Sequence, residues 1–187
     1  MERPTRENAA VLFLDLQDGI IANSRTNSAE QVARSAGVLA KLAALHALPA
    51  ILSAVPSGGA YLESVLDPLK RPELRPRTQT SAFADAGLVD ALRTSGRRVL
   101  VLAGVATEIV VKRTTLDALA AGYTVHVAVD ACGGTDPRTE HAAWQQIGAA
   151  GGVLTSVTTV AAELAGDFMT DLGNTTLGLL YENLGRT

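Results

Sequence analysis

The chain has 187 residues, of which 47% are apolar and 19% charged, with a net charge of −3 at pH 7. At roughly 150 residues per domain this is one soluble domain, large enough to bury about 70% of its unfolded surface without staples. The mild acidity argues against nucleic acid or an anionic membrane as partner, and apolar runs such as Val99–Ala103 fall far short of the ~20 residues needed to cross a bilayer. A lone Cys132 excludes an internal disulfide and a Cys-based zinc site.

The opening Met1-Glu-Arg-Pro-Thr-Arg-Glu-Asn is polar and is followed by no signal-peptide core, so a cytoplasmic address is expected. Ala9–Leu14 (AAVLFL) is a continuous apolar run ending in Asp15, the pattern of a strand covered on both faces. Ser28 and Gln31 then form a capping box that opens a helix to about Leu48. Pro49–Val55 predicts a second strand, stopped by Pro56-Ser-Gly-Gly. Tyr61–Arg77, punctuated by Pro68, Pro72 and Pro76, reads as loop with a helical turn or two. Ala86–Ser95 predicts a helix closed by Gly96, and Val99–Val105 is the strongest strand signal in the chain.

The alternation continues beyond it. Thr107 is the expected N-cap of a helix to Ala121, with Gly122 as its stop. Tyr123–Val129 reads as a strand ending at Asp130, Pro137–Ala150 as a helix, Gly152–Ser156 as a short strand, and Val160–Gly166 as the start of the last helical region. Strands separated by helices require right-handed crossovers. The expected fold is therefore a three-layer α/β/α sandwich around a mainly parallel, Rossmann-like six-stranded sheet. Ligands in such folds bind outside the carboxyl ends of the strands. That rule marks Asp15, the Gly104–Glu108 turn and Asp130–Gly134.

A carboxylate at a strand's carboxyl edge, with Gln17 two residues on, can act as a base or simply cap a loop amide. In Ala103-Gly-Val-Ala-Thr-Glu-Ile-Val110 a strand turns sharply into a helix. Its backbone N–H groups offer either an oxyanion site or an ordinary turn. The scarce aromatics (4%) leave Phe83 and Trp144 as candidate pocket walls. His46, His126 and His141 are scattered without ligand spacing, and neither GxGxxG nor GxxxxGK occurs. No metal and no cofactor are expected.

The segments VLFLDLQDG, SAF at Ser81–Phe83, VLVLAGVATEIVV, TLDALAAGYTVHVAVDACGG and HAAWQQIGAAGG occur in an order and spacing that resembles the isochorismatase-like (cysteine hydrolase) superfamily, and most nearly its YcaC-type branch. The resemblance runs from about Ala10 to about Phe168. It implies a catalytic Asp–Lys–Cys triad and a cis peptide at Val105–Ala106. Asp15 matches the family's aspartate. Arg77 stands where the lysine belongs, and Val110 where the nucleophilic cysteine belongs. Without a thiolate there, covalent amide hydrolysis is not expected. Direct acid–base hydrolysis of a small anionic or carbonyl-bearing substrate stays open to Asp15, with Gln17, Phe83, Val105 and Ala106 as substrate contacts. A guanidinium does not shuttle protons, but Arg77 could clamp a substrate carboxylate or form an ion pair with Asp15. The alternative reading is an inactive homologue that binds a small molecule or serves as an assembly subunit. Residues 169–187 extend past the αβ alternation. Leu177, Leu180, Tyr181 and Leu184 fall on one helical face there, which points to a homo-oligomer contact or to a tail folded back on its own sheet.

Overall fold

A computed structural model describes residues 2–185. Six strands, β1 (Ala9–Leu14), β2 (Ala50–Ala54), β3 (Leu74–Pro76), β4 (Val99–Val105), β5 (Thr124–Gly133) and β6 (Val153–Thr155), form one sheet in the order β3-β2-β1-β4-β5-β6. Every pairing is parallel. The helices are α1 (Asp18–Ile21), α2 (Ala29–Leu45), α3 (Glu63–Leu66), α4 (Ala86–Ser95), α5 (Lys112–Ala120), α6 (Pro137–Ala149), α7 (Val157–Ala165) and α8 (Asp171–Asn183). A wide turn of π type, Thr107–Val111, precedes α5. Among the described residues no helix is long and apolar enough to cross a membrane.

The side-chain alternation of β1 builds both halves of the core. Ala9, Val11 and Phe13 pack with Val32 and Leu39 of α2 and Val160 of α7. Ala10, Leu12 and Leu14 face the other way, toward Leu88 and Leu92 of α4, Ala118 of α5 and Ile147 of α6. All of these side chains are fully buried.

Five strands fall on the expected apolar runs; β3 is the one hidden by proline. It has three residues and lies at the sheet edge, where Pro72 and Pro76 interrupt few ladder bonds. The capping box at α2 is half-formed. The Ser28 hydroxyl accepts from the Gln31 N–H at 3.1 Å, but the Gln31 side chain turns to Ser35 instead of returning to the cap. Thr107 is not an N-cap; that position belongs to Ala106, and the Thr107 hydroxyl donates to Glu140 at 2.8 Å. β5 runs on past Asp130 to Gly133, through a register shift against β4.

The C-terminal segment packs within its own chain, against α7 and α2. The inner face of α8 is Gly173, Thr176 and Asn183, with Leu180 half-buried against the core. The four-residue apolar face read from the sequence is therefore split. Leu177 is half-buried, whereas Tyr181 (44% exposed) and Leu184 (50%) point outward. Small and polar residues won the inner face because they let the helix sit close and hydrogen-bond. Thr176 contacts His46 at 2.8 Å, and Asn183 donates to Asp130 at 2.9 Å. Met1, Arg186 and Thr187, which belong to the expected domain and extension, lie outside the described residues.

Candidate active site

A cavity of about 400 Å³ opens at the carboxyl ends of the strands. Asp15 follows β1, Val55 follows β2, Arg77–Thr80 follow β3, Val105 and Ala106 close β4, and Thr135 lies beyond β5. Each comes from a loop that a parallel sheet delivers to this edge.

Asp15 turns the chain out of β1 in a left-handed conformation (φ 53°). Its N–H is held by the Ser53 carbonyl at 3.0 Å, and its carbonyl accepts from the Gln17 N–H at 2.8 Å. Its two carboxylate oxygens each accept a 2.6 Å hydrogen bond from one terminal nitrogen of Arg77. The side chains are 7% and 2% exposed, so this is a buried, bidentate ion pair. The guanidinium fork that was free to clamp a substrate carboxylate is occupied by Asp15, and the remaining Nε is buried with no partner among the described residues. Of the two roles open to Arg77 in the sequence, the structure adopts the ion pair.

Beneath the pair, the Tyr61 hydroxyl donates to the Phe13 carbonyl at 3.1 Å. Burial, and then the nearby Asp15 charge, push its pKa well above the ordinary tyrosine value.

The wall contributed by β4 depends on Gly104. A Cβ there would stand 2.4 Å from the Leu14 carbonyl oxygen, so only glycine lets β4 lie this close to the end of β1. The Val105–Ala106 peptide is cis, as the resemblance implies. Val110 lines the cavity, and in the turn that starts at Thr107 the Ala106 carbonyl accepts from the Ile109 N–H at 3.2 Å and the Val111 N–H at 3.4 Å. Behind this turn, Glu108 accepts hydrogen bonds from the Thr135 N–H (2.9 Å), the Thr135 hydroxyl and the Thr139 hydroxyl (3.0 Å). Burial raises its pKa, but these hydrogen bonds outweigh it and the net shift is downward.

The structure thus gathers Asp15, Arg77, Val105, Ala106 and Val110 around one cavity. Gln17 and Phe83 are not among its lining residues. The Gln17 amide is engaged by the loop after β2, donating to the Val55 and Gly59 carbonyls (both 3.0 Å) and accepting from the Val55 N–H (2.9 Å). Gly58 makes room for it, since a Cβ there would fall 2.5 Å from the amide. Phe83 meets Tyr123 edge-on at 5.7 Å, and Trp144 packs on the same core half. Asp130 faces away from the cavity and ties down α7 through the Val157 N–H at 2.9 Å.

Ile20, Asn23, Thr78, Gln79, Thr80 and Ile109 line the cavity without having been singled out in the sequence. The residues 78–80 were reachable only by recognising β3. Cys132 is buried in β5, and burial pushes its thiol far above the ordinary value. Among the described residues no three His, Cys, Asp or Glu side chains converge as a metal site.

The family described as "Isochorismatase domain" matches residues 9–159. A probable hydrolase, YcaC of Escherichia coli (strain K12), is 30% identical over 185 residues, 97% of this chain and 88% of that protein. The structure of YcaC from Pseudomonas aeruginosa with hexane-2,5-diol and covalent acrylamide superposes with a TM-score of 0.92 at 29% identity, over 98% of this chain and 93% of that one. The Escherichia coli YcaC structure, described as an octameric hydrolase of unknown specificity, gives 0.90 at 28% identity, over 98% and 91%. The cavity lies where the strand ends of this architecture converge, and both fold and sequence agree with these relatives along nearly their whole length. The chain belongs to the isochorismatase-like hydrolase family.

Proposed function

We propose that the protein hydrolyses a small neutral molecule by direct acid–base chemistry, with no covalent enzyme intermediate. The observation that carries this reading is that the cavity presents the Asp15 carboxylate, while the chain's one thiol lies buried in β5. A carboxylate oxygen that accepts one hydrogen bond keeps a second lone pair, so Asp15 can take a proton while Arg77 holds its orientation. A water oxygen bonds to the electrophilic carbon as its proton passes to Asp15. The negative charge that develops on the substrate faces backbone N–H groups of the turn after β4. The leaving group departs with the proton from Asp15, restoring the carboxylate. Val110 supplies an apolar wall in place of a nucleophile.

The substrate is neutral in this reading because the cavity's two charges satisfy each other. A carboxylate substrate would have to compete with Asp15 for Arg77, and Asp15 would repel it. The other lining groups are aliphatic, hydroxyl or amide, suited to an ester or amide with a small apolar body. A homo-oligomeric state belongs to the same reading, supported by the octameric relative and by the outward Tyr181 and Leu184 of the C-terminal extension. A cytoplasmic address belongs to it as well.

The test is a turnover screen over neutral esters and amides, each beside its nearest carboxylate analogue. Asp15→Ala should abolish turnover and Cys132→Ala should leave it intact. Turnover that survives Asp15→Ala but dies with Cys132→Ala overturns the reading, as does a preference for the carboxylate analogues.

A further inference from the structure

At the opposite edge of the sheet, where β4 and β5 begin, Arg93 of α4 and the consecutive Arg97 and Arg98 line a second cleft of about 290 Å³. Val89 and Tyr123 supply its apolar side, and the Tyr123 ring is fixed edge-on against Phe83. Neither Arg97 nor Arg98 pairs with a carboxylate among the described residues. Arg93 touches Asp90 through one 3.1 Å contact, with both side chains about 70% exposed. The Nε of Arg97 is buried and has no acceptor among the described residues.

Arginines at the carboxyl ends of helices commonly serve those ends. Here α4 and α5 both finish beside the cleft, but among the described residues the only hydrogen bond donated by any of the three guanidiniums goes to Asp90. Three guanidiniums carry fifteen N–H donors. They stand together in a concave site of a chain whose net charge is −3. That arrangement lacks an acceptor that brings several oxygens and more than one negative charge.

We propose that this cleft binds the phosphate group of a small organic phosphate. A carboxylate offers two oxygens and one charge; a phosphate monoester offers three terminal oxygens and up to two charges, which matches three separate forks. The cleft is larger than a phosphate ion, so the organic body lies against Val89 and Tyr123. β4 separates the cleft from the Asp15 cavity by seven residues, roughly 20 Å at 3.3 Å per residue, so this site stands independently of the proposed hydrolysis.

Calorimetric titration of the intact protein at fixed ionic strength tests it with three probes: phenyl phosphate, inorganic phosphate and benzoate. Saturable binding of phenyl phosphate is expected, weaker for inorganic phosphate and absent for benzoate. Arg97→Gln and Arg98→Gln should each weaken phenyl phosphate about tenfold or more, whereas Arg138→Gln, an exposed arginine outside the cleft, should not change it. Inorganic phosphate binding as tightly as phenyl phosphate would identify a site for the free ion and overturn the organic-phosphate assignment. No saturable binding, or binding unchanged in both cleft variants, overturns the site itself. If either variant fails to fold, Arg93→Gln serves in its place with the same expected loss.

Discussion

The two ends of the sheet handle positive charge in opposite ways. At the carboxyl ends, Arg77 is almost wholly buried and both its terminal nitrogens are held by Asp15 at 2.6 Å. At the amino ends, Arg93, Arg97 and Arg98 are wholly or half exposed and share one contact with Asp90. Desolvation explains the difference. A buried guanidinium without a counter-ion costs several kcal/mol, so the fold tolerates Arg77 only as half of a pair, whereas water reaches most donors of the other three, the buried Arg97 Nε excepted. The difference is electrostatic: the first site holds a paired charge, and the second holds guanidiniums without a carboxylate partner save one contact to Asp90 among the described residues.

The sharpest way to break this contrast is to remove one partner of the buried pair. Asp15→Ala or Arg77→Ala leaves an uncompensated buried charge and should cost about 3–5 kcal/mol, read as a fall in the urea midpoint. The double variant Asp15→Leu, Arg77→Leu should recover most of that stability and none of the turnover. Single variants as stable as the parent would show that the pair does not constrain the fold. Next in size is Gly104→Ala, whose Cβ must push the Leu14 carbonyl away from its present distance. It should cost about 1–3 kcal/mol. It should also lower turnover, because the shift lands between Asp15 and the Val105–Ala106 wall.

Much of this organisation is legible in the sequence because burial writes it in apolar runs. β1 and β4 are central, covered on both faces, and read as unbroken hydrophobic segments. Arg77 and Val110 are legible only through the family resemblance, which also selects Asp15 among the strand-end carboxylates. What spacing does not contain is which hydrogen bonds compete for a side chain. Gln17 has a suitable amide in a suitable place, but the Val55 and Gly59 backbone groups bind it first. The exposed edge strand β3 has no buried pattern to announce it, and the cavity residues Thr78–Thr80 were lost with it. On α8 the leucine periodicity does not reveal the inner face, because Thr176 and Asn183 find partners on His46, β5 and α7 that outweigh apolar area.

A smaller effect concerns the seam between that helix and α2. His46 is buried, with Nε2 on the Thr176 hydroxyl, which itself donates to the Leu172 carbonyl at 2.8 Å. The hydroxyl therefore accepts from Nε2–H, and Nδ1 has no partner among the described residues. Burial, then the charge of Arg6, hold the histidine pKa below its ordinary 6.5. The folded state binds this proton less readily than the unfolded chain. The contribution is thus complete above about pH 6.5 and is lost as pH falls, with a slope of at most ~1.4 kcal/mol per pH unit. Thermal melts between pH 7.5 and 5 should fall more steeply for the parent than for His46→Gln. Equal slopes would remove His46 from the account.

The least disruptive change asks whether position 110 is where the chemistry diverges from a thiol mechanism. Val110→Cys replaces one small apolar side chain by another of similar size, so stability should move by less than about 1 kcal/mol. Its accessibility to reagents should change far more. In the parent, the only thiol is buried in β5 and its pKa is pushed up, which suppresses the thiolate that alkylation requires. A cysteine at 110 would instead line the cavity that also holds Arg77. Native acrylamide treatment followed by intact-mass measurement should leave the parent unmodified and add one adduct to Val110→Cys. The adduct should be lost again in Val110→Ala. An adduct on the parent would place a reactive thiol at Cys132 and reopen a covalent route. An unreactive Val110→Cys would mean that this wall of the cavity does not activate a thiol.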